Sequence, residues 1–340
     1  KWALVAFLIP TFGTMFVLQA AVTIVTAGLA SKIFGTSMSP LTWSAVILAV
    51  CAGVLTIGKY PLLDKLIKII IIVLSLSTIV AVVTAFGHGS SASVGFIPPH
   101  VWNVAGVSFM VALIGWMPSA IDISVWHSLW TIERRKETGS APSLADSLFD
   151  FRLGYFGTGI LALGFLSLGS LIMYGSGTSF SPSGGKFAGQ FISLYTSTLG
   201  SWSYPVVAIA ALTTMFSTTL TVTDAFPRVL KRSTELVFPG RYDGKGERSL
   251  YWIWMVIVLG GSLVIIGLFM SGMTILVDLA TTLAFLTAPI LAYINYRAVT
   301  GPWMPEAGRP GPKLLLLNWV SMVFLAGFAL FFLIWRFILN

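Results

Sequence analysis

The stretch Gly115-Trp116-Met117-Pro118-Ser119-Ala120-Ile121-Asp122, followed by Trp126 and His127, gathers groups able to do chemistry inside an otherwise apolar run. Proline has no N–H and disfavours helical angles in the residue before it. A helix entering this stretch must therefore break, leaving carbonyls near Ile114 to Trp116 without their usual donors. Met117 is either packing filler or a thioether beside free carbonyls, a donor set that favours a softer divalent ion over calcium or magnesium. Asp122 offers a carboxylate. With Ser119 it also completes S-x-x-D, a spacing that can cap a second half-helix without binding anything. His127 is a ligand or proton carrier, or else a hydrogen-bonded packing residue beside Trp126.

Two other acids lie in apolar segments. Asp224 follows Ser217, Thr218, Thr219, Thr221 and Thr223 and precedes Pro227. Near the inner end of its span, it is expected to pair with Arg228 or Arg232. Asp278 lies near an outer end and is expected to be solvated, whereas Thr281, Thr282 and Thr287 approach Pro289. Hydroxyl rows of this kind bond the preceding turn, join a neighbouring helix or line a path. Enzyme signatures are missing: no phosphate-cradling glycine loop, no H-E-x-x-H and no nucleophile elbow. Three histidines and one cysteine leave little for a catalytic zinc site. The chain is expected not to be an enzyme, to carry no cofactor and to move its substrate passively or by ion coupling.

The elements that must position these groups are membrane helices. Apolar residues make up 56% of the chain and charged residues 9%, and uncharged runs such as 2–31, 69–121 and 187–223 are far longer than a soluble core helix requires. Nine spans are expected, at 2–33, 41–58, 65–87, 103–133, 147–174, 203–230, 250–270, 273–297 and 314–338. With residue 1 on the cytoplasmic side, all of the 20 lysines and arginines except Lys32, Lys186 and Arg336 fall in inside segments, which sets the orientation. The net charge of +8 then belongs to loops facing anionic lipid, not to nucleic-acid binding. Cys51, alone in an apolar segment, excludes a disulfide framework. Phe187, Phe191, Leu194 and Tyr195 fall at helical spacing within the outside loop 175–202, so a short helix is expected on the outer surface. The chain starts with Lys, and residues before it are expected.

Taken together, these residues resemble a known family. G-W-M-P-S-A-I-D is similar to the sixth-helix motif of the Nramp (natural resistance-associated macrophage protein) divalent-metal transporters, whose usual form is A-x-x-M-P-H. Met117 and Pro118 match its Met-Pro. Phe12-Gly13-Thr14 resembles the start of the third helix, Lys59 to Lys68 the charged fourth-to-fifth loop, Ser217 to Thr223 the S-T-L-T run of the eighth, and Leu286 to Pro289 the L-x-x-P of the tenth.

The resemblance implies an all-α, polytopic, leucine-transporter-type inverted-repeat fold with helices three to eleven present, the whole of 1–340 forming one transporter domain without its first two helices. It implies a divalent metal substrate such as manganese or iron, held by Met117 and the Ile114 carbonyl, with Thr281 near the position of a family glutamine that helps hold the ion, in the cytoplasmic membrane of a bacterium; Asp122, read from the residues themselves, is a further candidate metal-site acid or a cap. Lipid and the metal ion are the expected partners. The family's first-helix D-P-G-N lies in the missing region. Met15, Leu18 and Ser119 stand where the family has an aspartate, a glutamate and a histidine of its proton route, so the usual proton coupling is not expected. The same architecture carries amino acids and other organic solutes, and a magnesium-transporting relative is a further alternative.

Overall fold

In lipid every backbone donor must be satisfied within its own segment, so long apolar sequences fold as helices. The computed structural model describes residues 2–57, 60–117, 119–139, 143–177, 179–181, 183–241, 245–269 and 272–339, and among these there is no strand. The helices are α1 (Trp2–Phe34), α2 (Pro40–Ile57), α3 (Tyr60–His88), α4 (Val104–Trp116), α5 (Ile123–Thr138), α6 (Leu144–Leu168), α7 (Gly184–Leu199), α8 (Tyr204–Val237), α9 (Lys245–Leu268), α10 (Met273–Thr300) and α11 (Pro312–Ile334). Among the described residues, eight helices, α1–α3, α6 and α8–α11, are long and apolar enough to cross a membrane. The protein is an integral, multi-pass helical membrane protein.

The expected span 103–133 is different. Its first piece, α4, has 13 residues, about 20 Å of helix at 1.5 Å per residue, short of a hydrocarbon core of roughly 30 Å.

The chain divides into two compact units. One comprises Lys1–Thr14, His100–Gly159 and Asp278–Asn340, the other Met15–Pro99 and Ile160–Val277. In the second unit α8 is the hub, packing on α2, α3, α7 and α9. Small residues line it: Ala208, Ala210, Ala211 and Ala225 on α8, with Ala20, Ala21, Ala27 and Ala30 on α1, are all buried. Lipid supplies no hydrophobic drive between helices, so close approach of small side chains and interhelical hydrogen bonds must hold them. Both are present. Gln19 Nε2 donates to Thr23 Oγ1 and Thr223 Oγ1, each at 3.2 Å, and the Thr26 and Thr219 hydroxyls lie 2.8 Å apart. Met15 and Leu18 of α1 are also buried.

The short helix expected from the aromatic spacing forms as α7. Its Tyr195 is fully buried and its hydroxyl lies 2.9 Å from Thr78 Oγ1 on α3, while the Phe191 ring packs at a tilt against both Phe165 and Tyr195. At its start Gly184 meets Gly28 of α1, where any Cβ on Gly28 would overlap the Gly184 carbonyl. In the first unit α4, α10 and α11 share a core of Val107, Val111, Phe285, Ala329 and Phe332.

Candidate functional site

The break forms where the sequence places it. Asn103 starts α4, its side-chain carbonyl accepting from the Gly106 N–H at 2.8 Å, as an N-cap does. The helix ends at Trp116: the Met117 N–H still donates to the Leu113 carbonyl at 3.0 Å, yet Met117 itself is extended, at φ −108° and ψ 123°. Those are the angles a following proline imposes. Pro118 lies outside the described residues. Having no N–H, it cannot serve the Ile114 carbonyl four residues earlier. Backbone bonding resumes with Ile123, Ser124 and Val125 donating to the carbonyls of Ala120, Ile121 and Asp122, a tight first turn into α5.

Capping is not how Ser119 and Asp122 act. Asp122 occupies the N-cap position of α5 with helical angles and makes no side-chain cap bond, and the Ser119 hydroxyl turns instead to the Ala120 carbonyl at 3.4 Å. A cap side chain reaches the third N–H only from an extended backbone. Asp122 is half-buried. His127 is exposed, one turn further on, with its ring edge-on to Trp130 at 6.1 Å.

Helix α10 touches both sides of the break. Gly115, at the end of α4, lies so close to the Thr281 backbone that a Cβ there would collide with the Thr281 carbonyl oxygen. Ile114 and Met117 are within one turn of Gly115, so this contact brings three of the four predicted ligand positions to one place. Met117 is 41% exposed. Thr281 is buried and its hydroxyl donates to the Asp278 carbonyl at 3.1 Å; Asp278 itself is exposed.

On the other side of the break, Asn295 Nδ2 donates to Ser124 Oγ at 2.9 Å. Sequence reasoning did not find this clamp, since nothing in the spacing of either helix pairs those two residues. Between Thr281 and Asn295 runs about 21 Å of α10, with Pro289 inside it. By the same rule as at Pro118, the Phe285 carbonyl has no partner N–H four residues on.

The donor set is carbonyl, hydroxyl and thioether oxygen and sulfur with one carboxylate. Among the described residues there is no group of three or more histidines, cysteines, aspartates or glutamates able to hold a metal. One donor of the opposite kind is also present: Trp116 Nε1–H is buried with no acceptor among the described residues.

Asp224 takes the expected structural role and acquires a third member. Arg228 grips its carboxylate with Nε at 3.0 Å and Nη2 at 2.8 Å, and the Tyr251 hydroxyl of α9 donates to Oδ1 at 2.7 Å. The guanidinium also lies over the Tyr251 ring, 5.8 Å from its centre. Arg232 pairs instead with Glu235 at 3.0 Å. The α8 hydroxyls bond mostly to the preceding turn, as Thr218, Thr219 and Thr223 do to the carbonyls of Thr214, Met215 and Thr219.

No family model matches the chain. It is similar to uncharacterized protein PM0681 of Pasteurella multocida (strain Pm70), with 34% identity over 332 residues, covering 96% of this chain and 74% of that protein. At that identity and coverage the two share one fold and one descent, and this chain belongs to the family of PM0681.

Proposed function

We propose that the protein is a secondary transporter of the Nramp type, with a leucine-transporter-type fold, that carries a divalent metal ion across the bacterial cytoplasmic membrane by alternating access. The observation that carries this reading is the interrupted helix at Met117, with Gly115 pressed onto Thr281. Broken backbone at membrane depth persists where it lines a cavity or holds an ion. The Met117 thioether and the Ile114 carbonyl act as ligands, Thr281 adds a backbone or hydroxyl oxygen, and Asp122 supplies negative charge. Sulfur in the set favours manganese or iron over calcium and magnesium. Met15 and Leu18, buried and apolar, and Ser119, engaged with a neighbouring carbonyl, give transport no titrating group at those positions. Metal uptake is therefore expected to proceed without the family's usual proton movement.

The test is manganese flux into liposomes containing the purified protein. Met117→Ala is expected to lower the flux about tenfold and to erode discrimination against calcium. Unchanged flux together with unchanged discrimination overturns the metal role of Met117.

A second reading has one observation in its favour. The unpartnered Trp116 N–H is a donor, which a cation cannot use and the carboxylate of an amino acid or other organic solute can. Uptake of labelled amino acids in the same liposomes, with no manganese flux, selects it.

A further inference from the structure

Between α10 and α11 the chain reads Gly-Pro-Trp-Met-Pro-Glu-Ala-Gly-Arg-Pro-Gly from residue 301 to 311. Trp303 there is 93% exposed, an indole with almost no protein against it. Arg297, Arg309 and Lys313, on either side of it in sequence, are exposed, and Glu306 is the one acid between 297 and 313. The Arg309 Nε donates to the Met304 carbonyl at 3.3 Å, which folds the basic arm back toward the loop that carries Trp303.

Beside this loop lies a row of aromatic rings. Trp2 and Tyr293 are 6.1 Å apart, Tyr293 and Tyr296 6.4 Å, and Tyr296 and Trp319 5.3 Å. Along the start of α11, Leu314, Leu316, Leu317 and Val320 are between 57% and 67% exposed. Aromatic rings such as Tyr296 and Trp303 beside basic side chains are what the headgroup level of a membrane carries. The positive charge of the inside segments assigns this level to the inner leaflet, where anionic lipid gathers.

We infer that the α10–α11 loop is a binding site for anionic phospholipid, with Arg297, Arg309 and Lys313 on the headgroup phosphate and Trp303 seated at the headgroup level. Charge complementarity selects the occupant: three cations against one carboxylate fit an anionic headgroup, and phosphate is what arginine and lysine hold best. The inference is independent of what the protein transports.

The experiment is native mass spectrometry of the delipidated protein in detergent, offered phosphatidylglycerol or phosphatidylcholine. Phosphatidylglycerol is expected to be retained in preference. The triple variant Arg297→Gln, Arg309→Gln, Lys313→Gln is expected to lower that retention about tenfold, and Trp303→Ala severalfold, with melting temperatures in detergent unchanged. A control triple at the end of α5, Arg134→Gln, Arg135→Gln, Lys136→Gln, is expected to retain the lipid. Four results overturn the inference: equal retention of the two lipids, full retention by both loop variants, equal loss in the α5 control, or displacement of the lipid by millimolar inorganic phosphate, which marks a free-anion site.

Discussion

Gly115 does its work by having no side chain. The Thr281 carbonyl occupies the space a Cβ would need, and backbone cannot swing aside as a flexible side chain can. Gly115→Ala should therefore force α4 and α10 apart and cost about 1–3 kcal/mol or more of stability, read as a lower melting temperature in detergent and a loss of transport. An unchanged melt would show that the two helices are not in contact there. Residues of this kind were partly legible in advance. Met117 could be read as extended because Pro118 dictates it locally, and Asp224 with Arg228 because they lie four apart on one helix. Tyr251 and Asn295 could not be read, because each acts on a residue far away in sequence, and one sequence holds no record of which helix faces which.

At the level of elements the sequence was most informative, since apolar length alone marks a membrane helix. The eight long helices among the described residues overlap eight of the nine expected spans, though α8 runs on to Val237, past its expected end at 230, and α7 forms over the aromatic spacing. What pattern could not supply is how α7 is held. Tyr195 is fully buried, and its hydroxyl meets Thr78, which already donates to the Leu74 carbonyl. The hydroxyl and the ring therefore contribute separately. Tyr195→Phe should cost about 0.5–1.5 kcal/mol and Tyr195→Ala about 3–5 kcal/mol, compared by thermal melting in detergent. Equal losses would mean the ring packing contributes nothing beyond the hydrogen bond. The α1–α8 ladder of Gln19, Thr23, Thr26, Thr219 and Thr223 was visible only as scattered polar residues. Their partnership needs both helices in place.

For the whole molecule, the distribution of lysine and arginine predicts which loops face the cytoplasm. Cys51 is fully buried, so a Cys51→Ser background carries single reporter cysteines cleanly. In intact cells a membrane-impermeant maleimide should label Ser181→Cys and spare Arg241→Cys, which should react only after permeabilisation. The opposite pattern would invert the topology and move the α10–α11 loop to the outer leaflet. The division into two units was not legible at all. It cuts through α1, α6 and α10, and a hydropathy pattern treats each of those helices as one object.

Helix α10 can also be regarded mechanically. It is a splint laid across a fracture, fastened to one fragment by the Gly115 contact and to the other by the Asn295–Ser124 hydrogen bond. The splint has a joint of its own, because Pro289 lies between the two fastenings. Flexing at that joint would change the gap between the two fragments without unfastening either, and so would set the spacing of Met117 and Asp122 from a distance.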